Sequence, residues 1–281
     1  MTAIAYLGPS GTYAEAAALK YQALYPQLHP ESKTSPILCP YPSIPKAIQA
    51  AALKEVDLAI VPVENSIQGG VTMTLDSLWQ WHQLQIQQAL ILPIRNALIT
   101  QAETLADIKV VYSHPQALAQ CQHWLEKFVP QAQLVPTHST TEGLEAVSKD
   151  ATLAAIASQR AAEMYKLPTL ACPINDHPDN CTRFWVLGLT PPTTKGSYTS
   201  LAFSAQRNLP GALVKPLSVF ADRGINLSRI ESRPTKRSLG EYVFFIDIEA
   251  SVEQPFVQEA LQDLVPLTET LRIFGSYSIA D

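Results

Sequence analysis

Two hydrophobic rhythms alternate through the first two thirds of the chain. AIAYL (3–7), DLAIVPVEN (57–65), TLAAIAS (152–158) and RFWVLGL (183–189) are strand-length and apolar almost throughout, the pattern of strands buried on both faces. Between them, SIPKAIQAAALKEV (43–56), VTMTLDSLWQWHQL (71–84), TEGLEAVSK (141–149) and SQRAAEMY (158–165) read as helices. Another helix is expected to begin near Thr12, with Thr12 as N-cap and Glu15 completing a capping box. KVVYSHPQALAQCQHWLEKF (109–128) reads as strand, cap and helix, with Pro115 in the tolerated first turn. ALILPIRNALIT (89–100), broken by Pro93, and TLACPI (169–174) read as extended. Strands alternating with helices predict parallel sheets covered on both faces, an α/β domain.

Periodicity stops in TPPTTKGSYTS (190–200), a Pro-, Thr- and Ser-rich stretch that reads as a linker. The expected division is a first domain over 1–189, a linker over 190–197 and a second domain over 198–281. The second unit reads as strand, helix, strand, strand, helix, strand, the βαββαβ order of an α+β ferredoxin-like fold.

Composition narrows the function. The 281 residues carry a formal net charge of -5, a sequence pI near 5.7 and only 16% charged residues. That excludes a basic nucleic-acid footprint, while a locally positive cleft could still hold a small anion. Cys39, Cys121, Cys172 and Cys181 show no C-x-x-C spacing and read as reduced thiols. MTAIAYLG carries no basic n-region and no apolar run has membrane length, so the expected setting is the cytoplasm, without a membrane partner.

Several stretches carry chemistry. In NDHPDNCTRFWVLG (175–188) a hydroxyl and a guanidinium, Thr182 and Arg183, stand together where a strand begins; Arg offers a planar fork for a carboxylate. The plainer reading is a strand start with a surface Arg. Glu64-Asn65-Ser66 ends a buried strand, and a loop with Gly69 and Gly70 leads into a helix, the place where α/β sheets hold ligands. An ordinary turn with a solvated Glu64 reads equally well. GPSGTYAE (8–15) lacks the G-K-[ST] of a phosphate loop. His114 reads as a cap, because no second His or Cys stands at metal spacing. Ser10, Ser66 and Ser113 lack a nucleophile elbow, so no covalent intermediate is expected. RNLPGALVKPLSVF (207–220) and RIESRP (229–234) read either as packing elements or as two edges of a pocket for a small zwitterion.

In this order GPSGTYAE, PVENSIQGGVTMTLD, SHPQALAQC and NCTRF resemble the prephenate dehydratases, and PGALVKPLSVF with ESRP resembles their ACT regulatory domain. The resemblance covers nearly the whole chain. It implies a catalytic domain of two lobes similar to a periplasmic binding protein, with the first lobe over about 1–90 and 169–189 and the second over about 91–168. It implies decarboxylation and dehydration of prephenate to phenylpyruvate, a hydro-lyase reaction with no cofactor or metal. Thr182 would donate to or orient the departing oxygen, with Glu64 and Ser66 as further catalytic residues. Arg183 would hold the surviving carboxylate, Asn65, Thr12 and Ser113 would supply neutral hydrogen bonds, and Phe184 an apolar wall. The second domain would bind L-phenylalanine through Asn208, Leu209, Pro210, Gly211, Ala212 and Leu213, with Glu231 and Ser232 opposite, in a homodimer or homotetramer. Two rival readings stay open at this point. One is an arogenate dehydratase, with the same chemistry on the transaminated side chain. The other is a non-catalytic amino-acid sensor, whose lobes close on a solute without transforming it.

Overall fold

The computed structural model describes residues 2–32, 34–192, 196–205 and 209–280. The first lobe is built from β1 (Ala3–Leu7), α1 (Tyr13–Leu28), β2 (Ile37–Tyr41), α2 (Ile44–Ala52), β3 (Leu58–Asn65), β4 (Gly69–Gly70), α3 (Thr72–Gln80) and β5 (Gln85–Pro93). The chain then crosses to the second lobe, with β6 (Asn96–Thr100), β7 (Val110–Ser113), α4 (Pro115–Gln120), α5 (Gln122–Phe128), β8 (Gln133–Pro136), α6 (Leu144–Val147), β9 (Leu153–Ser158), α7 (Gln159–Tyr165) and β10 (Thr169–Ala171). It returns as β11 (Cys181–Gly188). The C-terminal domain is β12 (Tyr198–Ala205), α8 (Val214–Ala221), β13 (Leu227–Pro234), β14 (Tyr242–Ile248), α9 (Pro255–Leu264) and β15 (Thr268–Tyr277), followed by β16 (Ile279–Ala280).

The first sheet has the order β16-β5-β11-β3-β1-β2, with β4 paired to β3, and the second the order β10-β6-β9-β7-β8. Parallel pairing holds where strands belong to βα units, as β1 does with β2 and β3. The returning strand β11 runs antiparallel to both neighbours, β3 and β5. One boundary expectation shifts. Thr169–Ala171 pairs with β6, so it belongs to the second lobe, and the return to the first lobe falls later, at Cys181. The four-stranded sheet β13-β14-β12-β15, with α8 and α9 on one face, has the expected ferredoxin-like order.

Caps explain where the helices begin. The Thr12 hydroxyl accepts from Glu15 N at the head of α1 (3.4 Å), and Ser43 accepts from Lys46 N at the head of α2 (3.4 Å). Glu15, however, does not close the expected box onto Thr12. Its carboxylate takes the Gly11 N–H (2.8 Å) and turns to the other lobe. His114 caps α4 as expected, accepting from Gln116 N through Nδ1.

The helix-free face of the C-terminal sheet does not meet solvent. Ala202, Val243, Phe245, Phe274 and Tyr277 share one buried cluster with Ala51, Leu75, Trp185 and Leu187 of the first lobe. β16 also extends the first-lobe sheet by pairing with β5. The C-terminal domain and the first lobe are therefore joined through a common core, which places β11 between α1 on one face and the C-terminal sheet on the other.

Candidate active site

Thr182 opens β11, directly opposite Asn65 at the end of β3. Both are buried, at 8% and 4% exposure. Residues paired across a ladder share a face, and here the Asn65 amide Nδ2 donates to Thr182 Oγ1 at 3.0 Å. The same NH2 group donates to Asn180 Oδ1 (2.8 Å) and Cys181 O (3.1 Å). Asn65 Oδ1 accepts from the backbone of Ile67 and Gln68 (3.1 Å each), which folds the 66–70 loop around the amide. Ser66 joins the same corner, its Oγ accepting from Cys181 N at 3.0 Å.

The chain of amides continues into the second lobe. Asn180 Nδ2 donates to Gln120 Oε1 (3.0 Å), at the end of α4. Gln120 is not among the candidates the sequence offers, yet its position signals it. On the helix face that buries Ala117, Cys121 and Leu125, a Gln stands where an apolar residue belongs. A buried polar side chain there needs partners, and it finds Asn180. Because Thr182 Oγ1 accepts from Asn65, its own proton is directed elsewhere. Among the described residues no protein acceptor takes it. The arrangement therefore presents one buried hydroxyl, held by a fixed amide, as a donor.

Other expected site residues have different surroundings. Thr12 donates to Pro9 O (2.9 Å) and caps α1. Ser113 is fully buried and donates to Ile156 O (2.6 Å), tying β7 to β9. Phe184 is packed in the core with Tyr6, Tyr21 and Leu90 under α1. The largest departure concerns Arg183 and Glu64. They pair across the ladder one step from Thr182 and Asn65, and neighbours along a strand face opposite ways. The Arg183 guanidinium lies 3.5 Å from Glu64 and 3.4 Å from Asp247 of the C-terminal domain. This alternation turns Arg183, expected to hold the surviving carboxylate, away from the Thr182 hydroxyl and toward two carboxylates of the protein itself.

The lobes are held together beside the site. Arg160 of α7 donates through Nε and Nη2 to Glu15 Oε2 (3.2 and 3.1 Å), Ser158 Oγ donates to Gly11 O (2.9 Å), and Tyr13 OH donates to Arg95 O (2.7 Å). Gly11 is at φ +86°, and an added Cβ would press on Thr141 at 3.1 Å, so the close approach of the lobes needs glycine here. Burial alone would raise the Glu15 pKa, but the Gly11 N–H, Arg160 and Ser10 outweigh it and hold it below the usual glutamate value. A depressed carboxylate stabilises the fold above its unfolded pKa near ~4.3, and that stability disappears as pH falls through the lower folded value. With Arg160 partly solvated, Glu15→Gln is expected to cost about 1 kcal/mol, or roughly 2–4 °C in Tm, at pH 7. The difference from wild type should close as the pH falls through the lowered folded value, read in thermal unfolding scans.

In the C-terminal domain a cavity of about 660 Å³ is lined by Leu209, Gly211, Ala212 and Leu213 on one side and by Thr235, Leu239 and Tyr242 on the other. Pro210 lines an adjoining cavity of about 200 Å³. Asn208 lies outside the described residues. Glu231 and Ser232 do not line this wall. β13 alternates, so Glu231 faces the first lobe beside Arg229 (3.6 Å) while Ser232 is exposed. All four cysteines are free, and burial pushes the Cys121 thiol up to about 12. No helix among the described residues is long and apolar enough to cross a membrane.

A two-lobed α/β domain with a buried hydroxyl at the lobe junction, fused to a βαββαβ unit, defines a class of enzyme with an attached regulatory domain. The prephenate dehydratase family model matches residues 4–192, and the ACT domain model matches 199–265. The chain belongs to the prephenate dehydratase family. It is 39% identical to the prephenate dehydratase of Lactococcus lactis, covering 98% of this chain and 97% of that one. It is 38% identical to the bifunctional chorismate mutase/prephenate dehydratase of Aquifex aeolicus, covering 98% and 73%. Among solved structures, prephenate dehydratase of Arthrobacter aurescens in complex with L-Phe superposes with a TM-score of 0.86 at 35% identity, over 99% of this chain and 90% of that chain.

Proposed function

We propose that the chain converts prephenate to phenylpyruvate, with Thr182 as the donor to the departing ring oxygen. The observation that supports this reading most is the Asn65–Thr182 hydrogen bond, which leaves the Thr182 proton for a ligand. The reaction consumes one proton. The ring carboxylate leaves as CO2, its bonding electrons move through the diene, and the C–O bond to the ring hydroxyl breaks as that oxygen takes a proton and departs as water. Aromatisation drives the sequence, so the barrier lies in the poor leaving group, and a hydrogen bond that strengthens as charge develops on that oxygen lowers it. Asn65 donates to Thr182 Oγ1, which stabilises negative charge on that oxygen and makes the hydroxyl a better donor. Ser66, on the exposed rim of the same corner, supplies a further hydrogen bond to the substrate. Thr12 and Ser113 act by fixing α1 and β7 rather than by direct contact.

The C-terminal cavity, in this reading, takes L-phenylalanine as effector. The 209–213 segment supplies backbone groups, and the cavity's apolar wall receives the ring. The open edge of β13, where Ile230 and Ser232 are exposed, offers a place for a second copy to add, since unpaired strand edges invite pairing. The expected assembly is a homodimer or homotetramer in the cytoplasm. The direct test is incubation of purified protein with prephenate while phenylpyruvate is followed. Turnover is expected, and L-phenylalanine is expected to lower the rate. Ala212→Trp, which fills the cavity, should raise the concentration needed for that effect at least tenfold. Absence of phenylpyruvate would sink the catalytic reading; an unaltered phenylalanine response in Ala212→Trp would sink the effector site.

A further inference from the structure

Asp247 stands in an otherwise apolar strand, and it is fully buried. It faces the first lobe with Val243 and Phe245, not the helices of its own domain. Four donors converge on it. Arg229 binds through Nε (2.8 Å) and Nη2 (3.3 Å), Ser200 Oγ donates at 2.5 Å, and Arg183 Nη1 reaches it at 3.4 Å. Arg183 is also 3.5 Å from Glu64, and Arg229 is 3.6 Å from Glu231. The Glu231 carboxylate in turn packs on Gly70 so closely that a Cβ there would collide with it. Two guanidinium nitrogens in this cluster, Arg183 Nε and Arg229 Nη1, are buried without a hydrogen-bond partner.

The location of this cluster gives it meaning. Arg183 and Glu64 form one rung of the β3–β11 ladder, and Thr182 and Asn65 form the next rung, on the opposite face. The ladder is irregular just beyond, between Arg183 and Phe184, so regular pairing does not fix this end alone. A force on the Arg183–Glu64 rung therefore acts on the spacing between Asn65 Nδ2 and Thr182 Oγ1. Unpaired buried charge is costly, so Arg183 keeps to Asp247 only while the two domains stay in register.

We propose that Asp247 of the C-terminal domain is a positioning residue for the Asn65–Thr182 pair, acting through Arg183. Arg183 is then an internal strut rather than a ligand for substrate. The inference rests on the catalytic reading of Thr182 given above.

The test uses the full-length chain with Asp247→Asn, Arg183→Gln and the double variant. Asp76→Asn serves as comparison, because Asp76 pairs with Arg233 (2.9 Å) and Lys236 (2.8 Å) at a different place on the same domain interface. Asp247→Asn and Arg183→Gln are each expected to lower kcat about tenfold with KM within about twofold, and the double variant to be no worse than the poorer single, as for residues acting along one route. Asp76→Asn should lower Tm while kcat stays within about twofold. Hydrogen exchange over 62–70 and 178–186 should quicken in Asp247→Asn and Arg183→Gln but not in Asp76→Asn. That readout needs no turnover, so it separates this inference from the catalytic reading. A normal kcat and normal exchange in folded Asp247→Asn would overturn the proposal. So would an Arg183→Gln variant with normal kcat and KM raised tenfold or more, the mark of a lost substrate contact. Should Asp247→Asn fail to fold, Arg183→Gln, at a partly exposed position, decides by the same two criteria.

Discussion

Thr182→Ala is expected to lower kcat by about 10²–10³-fold, the range for a removed proton donor or oxyanion partner, with KM changed only a few-fold. The split between kcat and KM follows from when the hydroxyl acts. In the ground state it meets a neutral ring hydroxyl, and in the transition state an oxygen gathering negative charge, so its contribution grows as the C–O bond breaks. The fold should tolerate the change. Asn65 Nδ2 loses one acceptor but keeps Asn180 Oδ1 and Cys181 O, so no buried donor is stranded. A loss of about 1 kcal/mol in stability is expected. Thr182→Ser returns the hydroxyl without the methyl and should recover most of the rate, with some loss from the freer rotamer. Steady-state rates on prephenate, with circular dichroism to confirm folding, make the comparison. A Thr182→Ala enzyme turning over near the wild-type rate would remove the hydroxyl from the mechanism.

Much of the architecture was legible because local chemistry and tertiary structure agree. Thr12 and Ser43 cap the helices they precede, and the C-terminal βαββαβ order was readable from where apolar runs change period. The expected lobe crossing falls too early because Thr169–Ala171 is too short for any pattern to say which sheet it joins; only its pairing with β6 decides. At the site, the types of residue are legible in the sequence, whereas their directions depend on where the strand begins. RFWVLGL reads as a strand from Arg183, and because the strand in fact opens at Cys181, its alternation turns Thr182 and Arg183 to opposite faces. The same alternation separates Glu64 from Asn65, and Glu231 from Ser232. Gln120 and Asp247 carried a signal of another kind, a polar residue at a position where the apolar pattern expects burial. Each proves to be bonded across a boundary, Gln120 between the lobes and Asp247 between the domains. Such a residue announces a partner but does not name it, because the partner lies about sixty residues away in both cases.

The second large effect is expected for Asn65→Asp, a change of nearly the same shape that exchanges two N–H donors for an acceptor. Asn65 Oδ1 could still receive the Ile67 and Gln68 N–H groups, so the 66–70 loop keeps its anchor. The other oxygen would face Asn180 Oδ1, Cys181 O and Thr182 Oγ1, three atoms that now accept from the amide. Thr182 would then turn its proton inward to the new carboxylate, since that is the strongest acceptor within reach. The donor intended for substrate is thereby consumed, and a fall of about 10³-fold in kcat is expected. Buried lone pairs facing one another, with a carboxylate among them, should also cost about 2–3 kcal/mol in stability. Burial and the facing acceptors raise the pKa of the introduced acid. Protonation as the pH falls would restore a donor toward Asn180 or Thr182. Activity relative to wild type should therefore recover in part on going from pH 8 to pH 5, opposite to the response of a variant that is merely destabilised. A pH–rate profile of Asn65→Asp beside Asn65→Ala separates the two cases, because alanine has no proton to regain. Parallel profiles for both would show that Asn65 serves the loop and not the Thr182 hydroxyl.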